Sequence, residues 1–245
     1  MPHATLTISV VIPTLNEATR IGDLLRALQH QTADIEYSLC AIIVVDGDSE
    51  DDTRAIVRTF PNVQLIESER GVSRQRNAGG RATNGELIVF MDADCVPPPN
   101  FLRNVARSYR RLPFRVACPW FVARESFGVR LSYFVFNVLF FLGQSTLRTG
   151  SGVCIIVPRK VFAHVGGFDE SLHLGEDIDF LRRCGWPHRH LLVPLQTSGR
   201  RFQTEGVWKL MGFYARISPA ILLGRFGRLR DVKYEKSADN ETEQS

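Results

Sequence analysis

Residues 86–97 read ELIVFMDADCVP, an apolar run from Leu87 to Met91 that ends in two acids, Asp92 and Asp94. A short, uninterrupted apolar run bounded by polar residues suits a strand buried on both faces, as in a parallel sheet. The segments around it repeat the same grammar. Upstream, ISVVI (8–12) is closed by Pro13, and Ile21, Leu24, Leu25 and Leu28 then recur at the spacing of an amphipathic helix. LCAIIVVD (39–46) is a second strand, followed by a helix predicted to open at Ser49, whose spacing to Asp52 suits a capping pair. VQLI (63–66) is a third strand, and a polar helix over 72–83 leads back to the quoted one. Downstream of Pro97-Pro98-Pro99, a helix carries Phe101, Leu102, Val105, Ala106 and Tyr109 on one face, and RVACPWFV (115–122) is strand-like. Alternating strands and helices predict right-handed crossovers and a parallel sheet covered on both faces.

The chain has 245 residues, 44% hydrophobic and 23% charged, which excludes general disorder because that much apolar side chain builds a core. Five widely spaced cysteines, odd in number and never in a C-x-x-C, suggest neither a disulfide framework nor a zinc site and read as reduced thiols of the cytosol. No signal peptide is expected, since the N-terminus lacks a basic region and its apolar run stops at Pro13. The longest charge-free apolar stretch, Leu131 to Thr146, falls short of the roughly 20 residues of a membrane span. One domain is expected over residues 1–199. Residues 200–236 carry nine Lys or Arg against three acids, a local charge of 9 − 3 = +6, and residues 237–245, SADNETEQS, form a solvated tail.

Ligands of open α/β sheets bind beyond the carboxyl ends of the strands, where Asp46, Asp92 and Asp94 fall. Closely spaced acids there can hold a hard divalent cation against a diphosphate. SVVIPTLNE (9–17), VVDGDSEDDT (44–53), GVSRQRNAG (71–79), FMDADCVP (90–97) and GSGVCIIVPRKVFAHVGGFDESLHLGEDIDFLRR (150–183) stand in one order along the chain. In this the sequence resembles the inverting glycosyltransferases of family 2 over residues 6–185, about three quarters of its length. The resemblance implies an α/β fold: a single GT-A domain, Rossmann-like, with a mostly parallel sheet and helices on both faces. The basic, amphipathic C-terminal segment would be a helical appendix to it.

Carried over residue by residue, the resemblance implies that Pro13, Asn16 and Glu17 line the nucleotide pocket and that Asp46 accepts a hydrogen bond from the base. Pro13 and Asn16 also suit a strand terminator and a helix cap. Many relatives have a second Asp after the first, where this chain has Gly47, with Asp48 one later. Arg76 and Asn77 would meet the donor, Arg76 at the diphosphate, and Asp92 the sugar or ribose. Asp94, with Asp92, would hold Mg2+ or Mn2+. Arg74 and Arg81 read as solvated helix residues and Cys95 as a packing residue. The base comes from Glu176-Asp177; Asp177 is the choice and Glu176 the alternative, with Arg182 one turn on to orient a carboxylate. Arg200 and Arg201 would close over the donor phosphates. The base removes the acceptor proton as the hydroxyl attacks the anomeric carbon opposite the leaving diphosphate.

His188 and His190 share one face of a partly exposed strand and lack the further ligands of a metal pair. Two segments bear on the acceptor. LSYFVFNVLFFL (131–142) is either a core helix or an acceptor-side surface, flanked by Arg124, Arg130 and Arg148. Residues 207–234 mix bulky apolar side chains with cations, the composition of an interfacial helix on anionic lipid or of a basic helix packed on the domain. Without a recognition motif, nucleic acid is not an expected partner. GRRFQTEG does not match the Gln-x-x-Arg-Trp motif of processive synthases, so polymer synthesis is not expected. The expected function is transfer of one sugar from a nucleotide-sugar donor, a UDP-sugar, to an acceptor that can be lipid-linked, in the cytoplasm and peripherally at the cytosolic membrane face. Two alternatives are a nucleotidyltransferase of similar fold, disfavoured because PTLNEATRIG lacks that class's Gly-rich loop, and a non-catalytic nucleotide or lipid-surface binding protein.

Overall fold

A computed structural model describes residues 5–32, 35–123, 126–143, 150–199 and 212. The expectations for Arg200, Arg201 and the appendix lie outside the described residues. Seven strands, β1 (Leu6–Thr14), β2 (Tyr37–Asp46), β3 (Val63–Glu67), β4 (Leu87–Met91), β5 (Val116–Val122), β6 (Cys154–Pro158) and β7 (His188–Gln196), form one sheet. Their order is β3-β2-β1-β4-β6-β5-β7. The helices are α1 (Ala18–Gln29), α2 (Thr53–Arg58), α3 (Val72–Ala82), α4 (Phe101–Arg111), α5 (Phe127–Gly143), α6 (Arg159–Val165) and α7 (Glu176–Cys184).

The first four strands run parallel, as the βα alternation predicts. The sheet is nevertheless mixed, because β6 runs antiparallel to both β4 and β5. Two apolar layers cover it. One joins Ile21, Leu24, Leu25 and Leu28 of α1 to Phe101, Leu102, Val105 and Ala106 of α4, with Tyr133 of α5 against them. The other packs Phe162 of α6 and Phe180 and Leu181 of α7 on Phe90 and Ile155. All four apolar positions predicted for α1 and four of the five for α4 are buried, Tyr109 being half-buried, and each buried Ile, Leu, Val or Phe among them contributes about 1.5–3 kcal/mol relative to exposure.

Several local expectations are corrected. Pro13 does not end its strand: β1 continues to Thr14, paired with Asp46 of β2. β4 pairs only Ile8 to Val11, so the sheet is open on that side of β1 at Pro13, a place where a residue without an N–H is tolerated. The second helix begins at Thr53 rather than Ser49. The Ser49 N–H instead goes to Asp46 Oδ2, and Ser49 Oγ accepts the Asn16 N–H, so this residue ties loops rather than opening a helix. His188 and His190 are buried, not partly exposed, since β7 is covered by the α4–α5 layer. The Phe-rich helix α5 is no core helix: only Val129, Asn137 and Gly143 are buried along its 17 residues.

Candidate active site

The carboxyl edge of the sheet is in register, with Thr14, Asp46 and Glu67 side by side on β1, β2 and β3. Asp46 is buried, accepting the Ser49 N–H at 2.9 Å and facing Arg54 Nε at 3.8 Å. Each carboxylate oxygen takes more than one donor, so capacity for a ligand N–H remains. Asp46 also lines an open cavity of about 520 Å³ with Asp48, Arg54, Glu67, Ser68, Glu69 and Arg70. That volume lies within the range of small-molecule sites.

Asn16 is in the left-handed region, φ 54°, and its Oδ1 accepts the Glu50 N–H at 2.8 Å. It therefore clamps the β1–α1 loop to the β2–α2 loop and does not cap α1, whose N-cap is Glu17. Gln75, which the sequence reading did not single out, performs the other half of this junction. Its Nε2 donates to the carbonyls of Thr14 and Val45. A Cβ at Gly47 would stand 2.9 Å from the Gln75 amide, which explains physically why glycine follows Asp46 here. Gln75 reaches the strand ends because α3 lies close on the sheet: at Gly79 a Cβ would meet Val11 at 2.3 Å.

The next residue on α3 is the hub of the site. Arg76 is 3% exposed, and its guanidinium donates to Asp92 Oδ1 at 3.1 Å, to the Gly152 carbonyl at 2.8 Å and to Glu176 Oε1 at 3.3 Å. Burial opposes its charge, but Asp92, Glu176 and Asp177 outweigh that and hold its pKa above the usual arginine value. Arg76 thus forms a carboxylate bridge between Asp92 after β4 and Glu176 of α7. Asn77 braces a neighbouring connection. Its amide brackets the backbone N–H and carbonyl of Phe168 and donates to Glu170, all bonds of the α6–α7 connection. Gly167 (φ 80°) allows this approach, for a Cβ there would lie 2.3 Å from Asn77 Oδ1.

Asp92 continues β4, its N–H bonded to the Val153 carbonyl at 2.9 Å. Two residues on, Asp94 accepts the Thr197 hydroxyl at 3.3 Å. Thr197 left no sequence signal, because it arrives through the Val96–Gln196 bridge between distant segments. Burial, with the charges of Asp92 and Glu17 nearby, pushes the Asp94 carboxyl up to about 7. This concentration of negative charge fits a cation. Among the described residues no group of three or more His, Cys, Asp or Glu is arranged to enclose a metal ion. Two carboxylates completed by phosphate oxygens and water are, however, the ligand set magnesium usually takes. Asp92 and Asp94 would hold such an ion, which would offset charge on a diphosphate leaving group. Cys95 beside them is buried, and burial raises its pKa far above that of a reactive thiol, which matches the packing role.

Glu176 and Asp177 open α7 after Gly175, in the left-handed region. Asp177 Oδ1 accepts the Ile178 N–H at 2.8 Å, and its carboxylate lies against Gly152, where a Cβ would meet Oδ2 at 2.8 Å. Burial and repulsion by Asp177 bring Glu176 to about 7, and burial raises Asp177 despite Arg76. Arg76 from α3 reaches this pair at Glu176, and within α7 Asp179 pairs with Arg183 at 2.7 Å.

A mixed α/β sheet with acids along its carboxyl edge and a carboxylate pair facing them is the GT-A arrangement. The chain belongs to glycosyl transferase family 2, whose model matches residues 9–165. A glycosyltransferase AglE of Haloferax volcanii is 37% identical over 101 residues, covering 39% of this chain and 33% of its own. A pre-mycofactocin glycosyltransferase of Mycobacterium tuberculosis is 25% identical over 190 residues, covering 72% of this chain and 38% of its own. The chain thus spans about a third of the length of these curated relatives. Among solved structures, S. aureus TarS residues 1–349 in complex with UDP-GlcNAc superposes with TM-score 0.65 at 22% identity, over 80% of this chain and 59% of that one. A mannosyltransferase from Pyrobaculum calidifontis in complex with GDP-Man and Mn2+ gives TM-score 0.61 at 23% identity, over 80% and 57%.

Proposed function

We propose that the protein is an inverting glycosyltransferase that moves one sugar from a UDP-sugar to an acceptor hydroxyl or phosphate carried on a lipid, at the cytosolic face of a membrane. The observation that carries this reading is the Arg76 bridge, which joins Asp92 of the donor edge to Glu176 of the α7 pair in one constellation. Family membership and the nucleotides named with the neighbouring structures support it.

In this reading Asp46 and the β1–α1 loop bind the nucleoside, and Asp92 and Asp94 hold Mg2+ or Mn2+ at the diphosphate. Bound there, the ion would stabilise negative charge on the departing UDP. Asp177 is the base. It accepts the acceptor proton as the acceptor oxygen bonds to the anomeric carbon, and the bond from that carbon to the diphosphate oxygen breaks on the opposite face. Glu176, fixed by Arg76, positions the pair. Asp177 suits the role because its bonds are to backbone N–H groups, which leave it free of the arginine's direct grip. The test is the anomeric configuration of the product from an α-linked UDP-sugar, read by NMR with a membrane lipid extract as acceptor source. A β-linked product that disappears in Asp177→Asn, with UDP binding kept, is the expected result. Retention of configuration, or full turnover by the variant, would reject the mechanism.

A further inference from the structure

The active site does not use α5, yet α5 is the least conventional element of the fold. Its inner side is anchored by Asn137, whose amide accepts the Phe121 N–H and donates to the Phe121 carbonyl at the bulged part of β5. His190 Nε2 sits 3.2 Å from the same Asn137 oxygen. The outer side is apolar too. Phe127, Leu131, Phe134, Val135, Leu139 and Leu142 are 43–78% exposed. At 100° per residue they fill a continuous stripe of roughly 140°. Isolated exposed apolar residues are ordinary, but a contiguous stripe of this size marks a contact surface.

We propose that this stripe of α5 is a membrane-docking surface for an anionic bilayer, lying in the interface plane. Charge selects that occupant. Between Asp94 and Asp169 the chain carries ten Lys or Arg and one acid, Glu125. On α4, which shares its sheet face with α5, Arg107 pairs with Glu36 at 3.0 Å and Arg110 donates to the Glu36 carbonyl, whereas Arg111 is exposed, and exposed Arg130 borders the α5 stripe itself. An apolar stripe bordered by cations is what an interfacial helix presents to anionic lipid. Among the described residues no helix is long and apolar enough to cross a membrane, which fits a helix lying on the surface rather than through it. The position is also apt. Only six residues separate Gly143 at the end of α5 from Gly150, and Gly152 touches Arg76 and Asp177. The chain can span at most about 25 Å over that interval. Docking α5 would therefore keep the acceptor side of the carboxylate pair close to the bilayer. The surface stands independently of the glycosyl-transfer reading.

The full chain and a Leu131→Ser, Phe134→Ser double variant should be sedimented with phosphatidylcholine vesicles, with and without phosphatidylglycerol. Melting temperature, size-exclusion light scattering and UDP titration are run on the same samples, the last keeping a failure of docking apart from a failure of the donor site. Both substituted residues are exposed, so the variant should fold. The expected result is binding that requires phosphatidylglycerol and falls about tenfold or more in the variant, with melting temperature unchanged. Absent or undiminished vesicle binding would overturn the proposal. So would a lower melting temperature in the variant, which would assign the stripe to residues 200–236 of the same chain. A dimer that the variant dissociates would assign it to a second copy.

Discussion

Arg76 and Glu176, one hundred residues apart in sequence, meet at 3.3 Å inside the protein, and the same guanidinium holds Asp92 at 3.1 Å. One cation thus ties the edge that would receive the donor to the carboxylates that would activate the acceptor. Taking a charge out of such a bridge leaves its partners buried and uncompensated. Arg76→Met should therefore lower unfolding free energy by about 3–5 kcal/mol, measured by urea denaturation. A loss below about 1 kcal/mol would mean the bridge is not the hub described.

Gly152 lies against the proposed base, so Gly152→Ala should push the Asp177 carboxylate aside without touching the donor edge. A displacement on the scale of 1 Å costs about 100-fold in rate. The variant is expected to lose transfer by roughly that factor while UDP affinity and melting temperature stay near wild type. Equal losses in UDP affinity and transfer would place Gly152 in the donor pocket instead.

Asn77 offers a contrast, because its hydrogen bonds go to Phe168 and Glu170. Asn77→Ala strands the Phe168 N–H and carbonyl in the interior, at a cost of about 2–4 kcal/mol in stability. UDP affinity, by calorimetry, should stay within about twofold, a change too small to represent a lost hydrogen bond.

Glu176 titrates near 7 in the folded protein against 4.5 ordinarily. A carboxyl with a raised folded pKa binds its proton more tightly folded than unfolded. Its stabilising effect is complete below about 4.5, fades as pH rises through 7 and is gone above. Denaturant midpoints should accordingly fall across that window, and Glu176→Gln should flatten the fall. Transfer should show the opposite slope, rising with pH, because the base Asp177, which burial raises above the usual carboxylate range, acts deprotonated. A midpoint that rises from pH 4.5 to 7 in wild type and variant alike would contradict the assignment.

Strands β1 to β5 and the helix faces were legible because burial writes a period into the sequence: Leu87 to Met91 is apolar throughout, and Ile21, Leu24, Leu25 and Leu28 keep helical spacing. The acids of the site were legible for the same reason, standing where such strands end. What could not be read were relations made by tertiary proximity. Gln75 and Thr197 join their sites through the close seat of α3 and the Val96–Gln196 bridge, neither of which has a local pattern. Arg76 was visible as a cation but not as a carboxylate bridge, since Glu176 comes from another helix. Asn16, Ser49 and Asn77 are polar residues of the kind that cap helices or touch ligands, and here their partners are loop backbones. The α5 stripe misled differently, because apolar composition does not distinguish a helix facing a core from one facing something else.

The central claim, a donor site at the carboxyl edge built around Asp92 and Asp94, is tested most directly by calorimetric titration with UDP. The titration is made in manganese, then in EDTA, and repeated on Asp94→Asn. The account predicts binding on the order of micromolar that EDTA and the substitution both abolish. Failure of both UDP and GDP to bind with metal present, or binding indifferent to EDTA and to Asp94, would contradict it.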